Sequence, residues 1–214
     1  MREGALASIF GGFMKFGEYF VLLLYLNVLW ILFTALGAVA LGWAPALAAV
    51  FAVIRERLMG KQTNTWKKFW SVYKELFVKA NIIGFIIMLF GSVLYTNIEL
   101  FTTDITWVFI AIRFVTIGVI VVASLMLLYV FPLLVHYEAP ILTHVKGSLQ
   151  LIIYRPFRTI LLVGACILLS QFLYVFPIFI IFLGISLSAF VIMFITRFTF
   201  AAVEKRNEQL EIST

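Results

Sequence analysis

A chain of 214 residues that is 64% hydrophobic and only 12% charged departs from a soluble domain, which is roughly 45–50% apolar and about 25% charged. A soluble domain of this size still exposes some 30% of its chain surface, more than so few polar residues can cover, which excludes a soluble enzyme, a secreted disulfide scaffold and a disordered tail. The formal net charge of +6 reads as membrane topology, with Lys and Arg kept on the cytoplasmic side, and not as nucleic-acid binding.

The first apolar stretch, Tyr19 to Leu41, can cross a hydrocarbon slab of about 30 Å at a helical rise of about 1.5 Å per residue. Pro45 opens a second helix, Ala44 to Leu58, because the N–H it lacks belongs to the first turn. Only about a dozen residues precede Arg55, roughly 18 Å of helix, so this segment is predicted to be a short span whose arginines snorkel to the headgroups. Ala44, Ala48 and Ala52 recur at the small-xxx-small spacing that lets another helix approach closely.

From Trp66 the pattern changes. Trp66, Phe69, Trp70, Tyr73, Leu76 and Phe77 share one helical face, and Lys67, Lys68, Ser71, Lys74 and Glu75 occupy the other. That pattern predicts an amphipathic helix lying in the membrane interface. It leads into a span from Ala80 to Tyr95. The connector Thr96 to Thr106, with Glu99 and Asp104 but no Lys or Arg, reads as the outside loop.

The next span runs from Trp107 past Phe131, with a kink predicted at Pro132, whose ring removes a backbone hydrogen bond. Arg113 sits about two turns into that span, roughly 10 Å from its outer end. Snorkelling or pairing with Asp104 or Glu99 would satisfy it, and a substrate or partner contact is its functional reading. After Pro140, a second amphipathic stretch places Ile141, Leu142, Val145, Leu149, Ile152 and Ile153 on one face, with His144, Ser148 and Gln150 off it. Spans from Thr159 to Phe176 and from Ile178 to Phe200 follow, separated at Pro177. Glu18 and Arg197, near the cytoplasmic ends of the first and last spans, are expected to pair. Asn27, Asn81 and Gln171 are expected to make interhelical hydrogen bonds worth about 1 kcal/mol each.

The expected architecture is all-α: a single membrane-embedded domain over residues 1–214, a bundle of about six transmembrane helices plus two cytoplasmic amphipathic interfacial helices. With both termini inside, only Arg113 among the 16 Lys and Arg residues falls toward the outer face, as the positive-inside rule requires.

Searching for chemistry yields little. There is no phosphate-binding glycine loop ending in Lys-Ser or Lys-Thr, no His-Glu-x-x-His pair and no Gly-x-Ser-x-Gly elbow. His136, Glu138 and His144 could approach one another but lack a fourth metal ligand. Cys166, the single cysteine, lies in an apolar run without the positive charge that activates a thiolate. No cofactor, metal or catalytic residue is expected, and an enzyme is the least favoured class.

The order of Gly42-Trp43-Ala44-Pro45-Ala46, of Ala49 and Phe51 leading to Arg55, of Thr65-Trp66-Lys67-Lys68-Phe69-Trp70 and of Tyr129-Val130-Phe131-Pro132 resembles the YesL family of small bacterial membrane proteins. The resemblance covers about residues 10–200. Members are usually encoded beside carbohydrate importers of the ATP-binding-cassette type in Gram-positive bacteria. The resemblance therefore implies a non-enzymatic accessory subunit of an oligosaccharide importer in the plasma membrane, packed against the permease subunits. Ala44, Ala48, Ala52, Trp66, Phe69, Trp70, Tyr73 and Arg113 are the candidate partner contacts. The alternative is a stand-alone transporter or channel for a small solute. It is weakened by the lack of a polar cluster at mid-span, where such proteins bind their cargo.

Overall fold

The computed structural model describes the backbone of residues 2–100 and 107–212, and side chains between 11 and 203 other than 94, 97–106 and 109. The chain forms helices α1 (Arg2–Leu36), α2 (Trp43–Leu58), α3 (Thr65–Glu75), α4 (Phe77–Leu100), α5 (Trp107–His136), α6 (Ile141–Tyr154), α7 (Pro156–Val175) and α8 (Ile178–Ile212). No strand occurs among the described residues. The expected all-α membrane architecture is the one found.

Among the described residues, four stretches are long and apolar enough to cross a membrane: Gly11–Leu36, Ile110–His136, Pro156–Val175 and Ile178–Val203. Helices α3 and α4 bend by 67° at a short break and make a fifth if counted as one broken span. The expectation of six counted α2 as a span in its own right. At 16 residues α2 is about 24 Å long, and its apolar run of about a dozen residues is the length of a buried core helix. Burial agrees: Ala44, Ala46, Ala48, Ala49, Val50 and Ile54 have at most 1% of their surface exposed. Around it stand α1, α3, α4, α5 and α8. A helix enclosed by its own chain has no need to match the hydrocarbon thickness.

The α1–α2 connection, residues 37–42, is a tight turn. Val39 N donates to Thr34 O at 2.9 Å, closing the last turn of α1 with the long return bond of a left-handed cap. Ala38 and Val39 hold φ of 52° and 62°, a region that side chains, and β-branched ones above all, rarely adopt. Glycine is required on either side. A Cβ at Gly37 would lie 2.4 Å from Gly42 Cα, and one at Gly42 would lie 2.5 Å from the Phe33 carbonyl oxygen.

Packing accounts for the polar residues singled out in the spans, with mixed outcomes. Asn27, 2% exposed, joins α1 to α8. Its Nδ2 donates to Ile181 O at 2.7 Å, and its Oδ1 accepts from the amides of Ile185 and Ser186 at 3.2 and 3.3 Å. Asn81 is buried but its Nδ2 finds no partner, and Gln171 is exposed. Arg197 does not reach Glu18; it donates to Leu58 O at 3.1 Å and lies over the rings of Phe194 and Phe198.

Other boundaries shift too. α5 continues through the buried Pro132 to His136. α4 extends to Leu100, so the connector is shorter than the sequence suggests. The side chains of Glu99 and Asp104 lie outside the described residues. α8 continues beyond Phe200 to Ile212.

The basic segments gather at one end of the bundle. Arg155 and Arg158, at the start of α7, donate to the carbonyls of Ala202 and Phe198 on α8. Lys15 and Glu18 of α1 share a cleft with Arg57 at the end of α2.

Candidate functional site

The amphipathic helix α3 begins where Asn64 caps it, its side chain accepting from Lys67 N at 3.1 Å. Such a cap satisfies one of the free amides of the first turn. The aromatic stripe then divides. Phe69 and Tyr73 are buried, and with Trp66 and Trp70 they surround Phe33 of α1 at ring separations of 4.9–5.8 Å. Trp66 and Trp70 keep 47% and 41% of their surface outward, next to Lys67 and Lys74, and the Lys74 ammonium sits 5.1 Å from the Trp70 ring. A cation over an indole face is attracted to its quadrupole.

The small-residue face points the other way. Ala44, Ala48 and Ala52 are buried inside the chain, and a Cβ at Gly84 of α4 would meet the Ala44 Cβ at 3.0 Å. At Ala44 the close neighbour is therefore the protein's own α4, and the burial of all three alanines inside the chain corrects their assignment as partner contacts. Phe69 and Tyr73 are likewise committed to internal packing. Of the eight candidates, Trp66, Trp70 and Arg113 remain exposed. Arg113 lies on α5 and makes no ion pair among the described residues.

A polar pocket of about 420 Å³ opens at the basic end. The end of α2 supplies Arg55, α3 supplies Lys68 and Glu75, and the start of α4 supplies Lys79. His136 and Glu138 come from the end of α5, and His144 from α6. Arg55 Nε donates to His136 Nδ1 at 2.8 Å. Lys68 pairs with Glu56 at 2.8 Å, and Thr63 Oγ1 donates to the same carboxylate at 2.6 Å. His144, 3% exposed, hydrogen-bonds the backbone at Ala139, while its Nε2 has no partner. Burial holds its imidazole below the ordinary range, the Ala139 bond opposes the shift, and nearby Lys79 adds to it. His136, Glu138 and His144 do line one pocket, yet no group of three His, Cys, Asp or Glu among the described residues could hold a metal ion.

Beside this pocket an apolar groove of about 590 Å³ runs between α4 and α5, with Val145 and Ser148 of α6 at its base. The sequence patterns of α4 and α5 gave no sign of it, because both are apolar on all sides and carry no preferred face.

Residues 23–98 match the family described as protein of unknown function, DUF624. Over 193 residues the chain is 35% identical to the Bacillus subtilis (strain 168) protein YesV, covering 90% of this chain and 93% of the relative. The chain belongs to the DUF624 family. Two more B. subtilis DUF624 relatives are YteU, 31% identical over 92% of this chain and 89% of the relative, and YesL, 27% identical over 94% and 96%. All three are described as uncharacterized. No solved structure matches the chain. The DUF624 match spans the end of α1, all of α2 and α3 and most of α4, the segment that holds the enclosed helix and the aromatic-basic face.

Proposed function

We propose that this DUF624 protein is a non-enzymatic accessory subunit of a bacterial carbohydrate importer of the ATP-binding-cassette type. It would lie in the plasma membrane with both termini cytoplasmic and pack against the permease subunits. The observation that carries the reading is the outward half of α3. Trp66 and Trp70 stand exposed beside Lys67 and Lys74 on a helix whose other side is anchored in the core. Tryptophan is among the residues most enriched in the energetic centres of protein interfaces. On α7 Phe157, Ile160, Leu161 and Leu168 are all more than 60% exposed, which leaves a long apolar flank for lipid or a neighbouring span.

Affinity purification of the tagged chain from native membranes in mild detergent tests the proposal. Permease subunits of an importer are expected to co-purify, and Trp66→Ala with Trp70→Ala to release them while the chain stays folded. Capture of no importer subunit, together with solute movement in liposomes that contain this chain alone, would instead establish a stand-alone transporter.

A further inference from the structure

The polar pocket and the apolar groove share three helices, and α2 and α3 add Arg55, Lys68 and Glu75 to the pocket alone. On α4, Lys79 lines the pocket and Ile83 the groove; on α5, Leu134 lines the pocket and Val130 the groove; on α6, His144 lines the pocket and Ser148 the groove. Residues four apart on a helix lie one above the other on the same face. The two cavities are thus head and tail of one site, polar at the basic end of the bundle and apolar where it enters the hydrocarbon.

Both parts offer groups to a ligand, the exposed Lys79, Glu75 and Glu138 being otherwise met by water. The one salt bridge among the described residues is Lys68 with Glu56, so Arg55 and Lys79 line the pocket without a carboxylate partner. Glu75 and Glu138 line it without a cation. Lys68 being neutralised by Glu56, the remaining two cations and two acids sum to zero. The neutral imidazole of His144, bonded to the Ala139 backbone through one nitrogen, offers the other, Nε2, as a buried acceptor with nothing to accept from. A ligand that answers all of these carries an anionic group, an N–H-bearing cation and an apolar tail. A soluble metabolite would leave the groove empty, and a transmembrane helix would leave the charges unanswered.

We propose that α4, α5 and α6, with the ends of α2 and α3, hold one bilayer phospholipid with an ethanolamine-type headgroup. Its phosphate lies with Arg55 and Lys79, its ammonium with Glu75, Glu138 and His144, and one acyl chain runs between α4 and α5. The inference is independent of the importer reading, since it concerns lipid held by the chain alone.

Native mass spectrometry of the purified chain, equilibrated with equal amounts of phosphatidylethanolamine, phosphatidylcholine and phosphatidylglycerol, reads the retained lipid. One phosphatidylethanolamine per chain is expected. Retention should exceed that of phosphatidylcholine, which has the same net charge but no N–H donor, and that of phosphatidylglycerol, which lacks the ammonium. Two variants test the two halves. A Cβ at Gly91 meets nothing within 4 Å, so Gly91→Phe fills the groove without displacing backbone. Lys79→Gln, at an exposed position, removes one phosphate contact. Lys79→Gln should lower retention about tenfold, the factor expected for one charge-assisted contact, and Gly91→Phe should lower it by excluding the acyl chain, with the melting temperature in lipid-free detergent unchanged in both. Glycerophosphoethanolamine, the headgroup without chains, should fail to displace the lipid. Equal retention of the three lipids, preference for phosphatidylglycerol, unaltered retention in both variants, or displacement by the bare headgroup would each overturn the proposal.

Discussion

Replacing Asn27 by Leu removes the amide that joins α1 to α8 while keeping the side chain's approximate volume. Three hydrogen bonds are lost: the one donated to Ile181 O and the two accepted from Ile185 N and Ser186 N. Interhelical bonds within membranes contribute about 0.6 kcal/mol on average, so the variant should lose roughly 2 kcal/mol. The loss stays moderate because the three backbone groups keep the option of bonding within α8. Asn27→Asp sharpens the test. It retains the acceptor for the two amides but sets a carboxyl oxygen against the Ile181 carbonyl, and an ionised acid at mid-span costs about 2.5–3.5 kcal/mol. Asp should therefore be worse than Leu, although it is the closer isostere. Unfolding in mixed micelles by added dodecyl sulfate, followed through tryptophan fluorescence, measures both. Wild-type stability in Asn27→Leu would falsify the view that this amide fastens the first helix to the last.

Further outcomes are expected elsewhere. Gly84→Leu drives a branched side chain into Trp43 and Ala44 and should destabilise the chain by about 1–3 kcal/mol, as overpacking of a filled core does; the same micelle titration reads it. His144, whose imidazole is held below its ordinary value of 6.5, binds more protons in the unfolded chain, so its contribution is present above pH 6.5 and is lost as pH falls through its folded value. Stability measured from pH 7.5 to 5.5 should therefore drop, and His144→Gln should flatten the slope although His136, Glu75 and Glu138 share the pocket. With Cys166 replaced by Ala, a cysteine at Lys61 should escape a membrane-impermeant thiol reagent in intact cells, and one at Thr103 should react; the reverse labelling would reject the proposed orientation.

The membrane class was plain in the sequence because composition leaves a chain this greasy no aqueous alternative. Both amphipathic helices were legible as helices, but on α6 the face packed inward carries His144, Ser148 and Leu151 while Leu142, Leu149 and Ile153 of the apolar face stand exposed. The role of Ala44, Ala48 and Ala52 was half legible. Their spacing announces a close helix contact, but whether the visitor is α4 or another protein depends on tertiary placement that spacing does not encode. Six spans were expected because hydropathy treats α2 like any apolar stretch, and only its enclosure by five neighbours explains why it can be short. The site was the least visible part. Arg55, Lys79, His136 and His144 are spread over 90 residues, and what unites them is the common end at which four helices start or stop. A signal was present all the same: each amphipathic helix is flanked by basic or imidazole groups where it meets the next span.

The enclosed α2 also dictates an order of assembly. Helices α5 and α8, which cover part of it, are synthesised after it has entered the bilayer. Until they arrive, its alanine-rich surface is wetted by acyl chains that must later be expelled. A nascent chain halted before Ile178 would retain that lipid coat and leave Asn27 without its acceptor on α8, with the first helix not yet fastened to the last.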